Sequence, residues 1–243
     1  TGIGVGGLVG RQEGGTIRIC RSTGNVEWPG TTYQDGQSIG GLVGDAAGII
    51  ENSFSLSHIS GAANRVGGLV GWNRAAGSIE NSYSRGDAIG LQVAGGLVGE
   101  NIGTIENSYS TGDVGGLSLV GGLVGLNDVG TVSSSFWNTD DVTDQDMPDV
   151  GRGNSQGATG KNTEEMKSMA TFTDTSTDGL EMAWDFDTTW VINSYNNDGY
   201  PQLNGLANPL LPSSSESGSD SDDGGGGGGG GGCFIRSVAA VSD

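Results

Sequence analysis

Gly95-Gly96-Leu97-Val98-Gly99, followed shortly by Gly103-Thr104-Ile105-Glu106-Asn107-Ser108-Tyr109-Ser110, is one copy of a unit the chain repeats. The pentapeptide Gly-Gly-Leu-Val-Gly starts at Gly6, Gly40, Gly67, Gly95 and Gly121, with spacings of 34, 27, 28 and 26 residues. The second block recurs as Gly15-Thr-Ile-Arg-Ile-Cys-Arg-Ser22, Gly48-Ile-Ile-Glu-Asn-Ser-Phe-Ser55, Gly77-Ser-Ile-Glu-Asn-Ser-Tyr-Ser84 and Gly130-Thr-Val-Ser-Ser-Ser-Phe-Trp137. Ile105, Asn107 and Tyr109 alternate with Glu106, Ser108 and Ser110, a period of 2 that predicts a strand with the first set facing inward. Each unit therefore reads as two short strands and two turns.

Leu8, Leu42, Leu69, Leu97 and Leu123 share one repeat position, and Ile17, Ile50, Ile79, Ile105 and Val132 share another. A single unit buries too little surface to offset its conformational entropy, so neighbouring coils must stack and share a core. Stacking predicts apolar ladders at both positions and an amide column of inward Asn52, Asn81 and Asn107. The 49 glycines in 243 residues then serve positive-φ corners and close backbone approach between coils. A flexible glycine-rich linker would not align Leu and Ile in this way. The fold expected is an all-β solenoid of about five coils.

These units resemble GLUG repeats, over roughly residues 4–137. The resemblance implies a right-handed β-helix-like solenoid, an extracellular or cell-surface location as in bacterial adhesin-like chains, and no shared catalytic residues. The first unit departs from the pattern: Arg18, Ile19, Cys20 and Arg21 stand where later units carry Glu-Asn-Ser-Tyr, and a loop with Trp28, Pro29 and Tyr33 is inserted. Terminal repeats are commonly atypical.

Residues 138–212 read as a capping segment. Its first part, to about Gly160, is rich in Asp, Gly, Asn and Thr and reads as an irregular loop, not a sixth coil. Asn162 or Thr163 then caps one short helix with an acidic first turn and with Met166 and Met169 or Ala170 on one face. A strand pair is expected in Trp184–Ile192 and around Tyr195, ending at Gly199-Tyr-Pro-Gln-Leu203. The series resembles the segment that closes runs of GLUG repeats, and its aromatic residues suit a lid over the last open coil.

Residues 213–232 form a Ser/Asp-rich and then polyglycine linker, and residues 233–243 a strand-forming peptide too short to cross a bilayer. This end resembles the Gly-rich, Cys-Phe-Ile-containing C-termini of some bacterial exported proteins. On such a tether the peptide reaches open solenoid edges, and Phe234, Ile235, Val238 and Val241 are its expected docking residues. Docking on a neighbouring copy, head to tail, would make an open filament; folding back onto its own solenoid and a processing or anchoring role are the alternatives. Cys20 and Cys233 are the only cysteines and favour a disulfide, between copies or within one chain; two free thiols, or a lipid on Cys233, stay open.

With 29 acidic against 10 basic residues, the formal charge of −19 repels nucleic acid and anionic lipid. No apolar run of about 18 residues predicts a transmembrane helix. The start of the chain lies inside a repeat-like run without a signal peptide, so secretion is permitted and not established. The one histidine, His58, reads as a surface residue at a loop-like position, and no nucleophile motif, phosphate loop or zinc ligand set is present, so no enzyme is expected. Asp140, Asp141, Asp144 and Asp146, with Asp149, read as solvated charge, with Ca²⁺ as the alternative, because the spacing lacks a regular calcium loop. The expected function is a self-assembling extracellular filament subunit, with an adhesin binding host or matrix glycans or protein as the alternative.

Overall fold

The computed structural model describes residues 3–28, 36–140, 147–206 and the strand 234–236. Its core is a parallel β-solenoid whose first four coils each contribute one short strand to each of five sheets, with later coils contributing to fewer. The first sheet stacks Gly4–Gly6, Ser38–Gly40, Arg65–Gly67, Val93–Gly95 and Leu119–Gly121. The second stacks Val9–Gln12, Val43–Ala46, Val70–Asn73, Val98–Asn101, Val124–Asn127 and Val150–Gly153. The third runs through Thr16–Arg18, Ile49–Glu51, Ser78–Glu80, Thr104–Glu106 and Thr131–Ser133. The fourth runs through Arg21–Ser22, Phe54–Ser55, Tyr83–Ser84, Tyr109–Ser110, Ser135–Asn138 and Ala158–Lys161. Asn25–Trp28, His58–Gly61, Ala88–Ile89 and Val114–Gly115 make the fifth.

The pairing register places equivalent repeat residues in columns, as in Ile17, Ile50, Ile79, Ile105 and Val132. All five are buried. Leu42, Leu69, Leu97 and Leu123 are fully buried too, while Leu8 at the open first coil is 36% exposed. None of the pentapeptide glycines adopts the left-handed φ; they serve close approach. A Cβ on Gly41 would strike the Gly68 carbonyl oxygen and the Ser55 hydroxyl, and one on Gly68 would strike the Gly96 carbonyl oxygen and Ser84. Only glycine lets adjacent coils meet there.

The second block departs from simple alternation. Its corner residue adopts the left-handed conformation: φ is 56° at Ile19, 47° at Asn52, 46° at Asn81, 47° at Asn107 and 44° at Ser134. This corner shifts the phase by one residue, so Ser108, not Asn107, returns to the interior, and Tyr109 faces out. The expected inward amide column at 52, 81 and 107 is thus replaced by a hydroxyl column. Backbone N–H groups of Cys20, Ser53, Ser82 and Ser108 donate to the hydroxyls of Ser53, Ser82, Ser108 and Ser135 at 3.0–3.2 Å. Each hydroxyl donates in turn, at 2.8 Å, to the carbonyl two residues before it.

An amide ladder does exist, one sheet away. Asn73 Nδ2 donates to Asn101 Oδ1 at 2.7 Å, Asn101 Nδ2 to Asn127 Oδ1 at 2.9 Å, and Asn127 Nδ2 to the Asn154 carbonyl at 2.6 Å. All three side chains are buried, where an unpaired amide would cost about 1–3 kcal/mol. Outside this sheet, Trp72 lies between the Arg65 and Arg74 guanidiniums, 4.3 and 4.4 Å from its ring centre. Arg65 pairs with Glu100 and Arg74 with buried Asp45, tying three successive coils together. The hydrogen bond to Asp45 raises the Arg74 pKa above its ordinary value.

Two expectations for the following segment fail. Val150–Gly153 and Ala158–Lys161 pair in parallel with Val124–Asn127 and Ser135–Asn138, so what reads as a loop supplies two strands of a sixth, partial coil. The reason is a weakened repeat, Asp149-Val150-Gly151-Arg152-Gly153-Asn154, whose Val150 and Gly151 keep the two positions the stack requires. Residues 163–206, in turn, lie along the flank and do not close the last coil. Phe54, Tyr83, Tyr109 and Phe136 form an outward aromatic column, with Phe54–Tyr83 and Tyr83–Tyr109 stacked at 4.7 and 4.9 Å. Met166, Phe172, Leu180, Trp184, Trp190, Tyr200, Leu203 and Leu206 bury that column.

The segment carries two short helices where the sequence suggests one: α1 (Thr163–Met166) and α2 (Met169–Thr173). Asn162 caps α1 in a capping box with Glu165, as its residue type predicts. Met166 is buried while Met169 is 48% exposed, because the chain breaks at Ser168 and α2 turns Phe172 inward instead. Trp190–Val191 pairs antiparallel with Gln202–Leu203; the first strand lies in the expected stretch, but the second is not around Tyr195, which sits in a turn. Indole N–H groups read the corner column: Trp190 Nε1 donates to Asn81 Oδ1 at 3.3 Å and Trp184 Nε1 to the Ser134 carbonyl at 2.9 Å. Burial raises the pKa of both Tyr83 and Tyr109.

Candidate docking edge

Gly15, at φ 77°, turns the chain into Thr16–Arg18, the outermost repeat strand of the third sheet. Ile17 begins the interior isoleucine column and is 1% exposed. Arg18 faces out, 3.6 Å from Glu51. Two residues on, Cys20 is fully buried as the first member of the hydroxyl column, and its N–H donates to Ser53 Oγ at 3.0 Å.

The strand Phe234–Arg236 occupies the outer edge of Thr16–Arg18 in the same chain. Its register sets Phe234 opposite Arg18, Ile235 opposite Ile17 and Arg236 opposite Thr16. The pairing is antiparallel in a solenoid whose other pairs are all parallel. Among the docking residues expected from sequence, Phe234 and Ile235 lie on this strand; Val238, Val241 and Cys233 lie outside the described residues. The strand thus pairs with the first coil of its own chain, the fold-back arrangement, and not with a neighbouring copy.

The flanking segment leads back toward that edge. Its aromatic residues follow the column from Phe136 back toward Phe54, and Leu206 ends beside Ile19. Ile19, Asn52, Thr188, Thr189 and Leu203 to Leu206 line one cavity of about 370 Å³ there. Sequence reasoning missed this return path, since a flank-covering segment and an end-covering lid have the same composition.

The other candidates remain apart. Asp140 is exposed, and its Oδ2 accepts the Thr163 N–H at 2.9 Å; Asp141, Asp144 and Asp146 lie outside the described residues. Asp149 Oδ1 accepts from Trp137 Nε1 at 2.7 Å and from the Gly160 N–H at 2.8 Å, a packing role. His58 is exposed as expected but opens the strand His58–Gly61 instead of lying in a loop, and its Nδ1 is 3.1 Å from Asp87 Oδ2. Among the described residues no helix is long and apolar enough to cross a membrane.

The family model of the GLUG motif matches residues 1–27, 62–89 and 90–115. The chain carries GLUG repeats. The GLUG solenoid is 38% identical over 156 residues to a protein of Evansella cellulosilytica named a Gly-rich membrane protein, covering 63% of this chain and 13% of that one. It is 37% identical over 89 residues to halomucin of Haloquadratum walsbyi, covering 34% of this chain and 1% of halomucin. The chain therefore spans a small part of both relatives. No solved structure matches it.

Proposed function

We propose that this GLUG solenoid is a structural rod of an extracellular surface assembly, and that copies join by exchanging the strand Phe234–Arg236 onto one another's first coil. The observation that carries the reading is the pairing of that strand with Thr16–Arg18. An edge that accepts the strand in cis accepts the same strand from a second copy, with the same hydrogen bonds, so exchange costs little beyond association entropy. Reach is no obstacle: residues 207–233 extend at most about 90 Å at roughly 3.3 Å per residue. Six stacked strands are only about 25 Å deep. The surface location is supported by the relatives, one of which is named a membrane protein.

Cys233 immediately precedes this strand in the sequence, and Cys20 lies two residues after the strand it pairs with. A Cys20–Cys233 disulfide would then staple each junction. Electron microscopy of the purified chain tests the reading together with non-reducing gel electrophoresis. Filaments, and a ladder of bands that collapses with reductant, are expected, and Cys233→Ser should weaken the polymer while the solenoid stays folded. Isolated rods at every concentration would overturn the filament; isolated rods that bind a glycan tightly would establish the adhesin in its place.

A further inference from the structure

The strand counts of the sheets carry an inference that rests on the filament reading and goes beyond it. Among the described residues of one chain the second and fourth sheets each have six strands, the sixth added by Val150–Gly153 and Ala158–Lys161 at the far end. The third sheet has only five repeat strands, ending at Thr131–Ser133, and Phe234–Arg236 supplies its sixth at the opposite end, outside Thr16–Arg18. Three contiguous sheets thus have six strands each, but with complementary outlines. The far end projects in sheets two and four and is recessed in sheet three. The near end projects in sheet three.

We infer that a second copy of this chain stacks coaxially, far end on near end, with the strand Phe234–Arg236 filling the recess beyond Thr131–Ser133. Val150–Gly153 of one copy then meets Val9–Gln12 of the next, in the parallel register that already joins Val9 to Val43 and Val124 to Val150. Ala158–Lys161 meets Arg21–Ser22 in the same way. The near end has the apolar surface such a contact needs: Leu8 is 36% exposed, although its counterparts Leu42, Leu69, Leu97 and Leu123 are fully buried. Val5 and Val9 are likewise only partly buried where their counterparts Ile39, Val66, Val43 and Val70 are fully so. Arg11 and Arg152 come into register, and each is already held by an acid, Glu13 at 2.6 Å and Asp128 at 3.0 Å. The first and fifth sheets, with five and four strands, do not meet across this junction among the described residues.

Stacking fixes a length that strand exchange through a loose tether does not. Six strands at about 4.8 Å give an axial rise of about 29 Å per copy. Cryo-electron microscopy of the full chain should show filaments with that rise. In sedimentation velocity, Leu8→Asp should raise the concentration needed for assembly at least about tenfold, with an unchanged β-type circular dichroism spectrum. Filaments with wider or irregular spacing, or assembly indifferent to Leu8→Asp, would overturn coaxial stacking and leave strand exchange standing. Isolated rods or closed dimers alone would overturn both.

Discussion

At Asn107 the left-handed corner, φ 47°, sets the phase of everything after it: Ser108 turns in and Tyr109 turns out. Asn and Gly tolerate this conformation, while other L-residues lose about 1–2 kcal/mol in it and β-branched ones fit worst. Asn107→Gly should therefore leave urea-unfolding stability within about 0.5 kcal/mol, and Asn107→Val should cost about 2 kcal/mol. Equal effects of the two would show that the amide, and not the corner, matters. In the first coil the corner residue is Ile19, at φ 56°, which is why the unit looks atypical in sequence yet keeps the same path. The strand positions were legible because leucine and isoleucine recur at fixed offsets. The corner was not, since alternation of side-chain type continues through Asn107 while the backbone reverses phase.

Among the elements, the flanking segment is held by aromatic packing and by one carboxylate turn. Asp185 accepts from the N–H groups of Asp187 and Thr188 at 2.9 Å, from the Thr188 hydroxyl, and from Thr189 Oγ1 at 3.1 Å. The Thr188 hydroxyl bond is the main cause that lowers its pKa from 3.8 to about 2. A carboxyl whose folded pKa is depressed stabilises the fold fully above its unfolded pKa and loses that contribution as pH falls through the folded value. The turn lies between Trp184 and Trp190, whose rings are 4.7 Å apart. Tryptophan fluorescence should therefore shift on acidification from pH 3.8 to about 2, and Asp185→Asn should remove that component while leaving the changes from other carboxylates. The sequence located this segment, its Asn162 cap and the first strand of its pair, but put the second around Tyr195 instead of at Gln202–Leu203. It could not indicate that Tyr83 and Tyr109 belong to an outer column needing cover, and so the segment's place on the flank was hidden.

For the whole molecule, a formal charge of −19 opposes the approach of identical copies. Salt should therefore favour assembly. Raising NaCl from about 0.01 M to about 1 M shortens the screening length from about 30 Å to about 3 Å, and the assembled fraction in sedimentation velocity should rise with it. Dissolution by salt would instead mean that ion pairs between copies dominate the junction.

The return of residues 163–206 along the flank also bears on mechanics. Ile3 enters the first coil, and Leu206 ends beside Ile19 of that same coil. A pulling force applied between those two points runs through the first coil and the cavity wall at Thr188 and Thr189, and the later coils hang outside the load path. Tension between those two points would thus peel the flank before it sheared the stack.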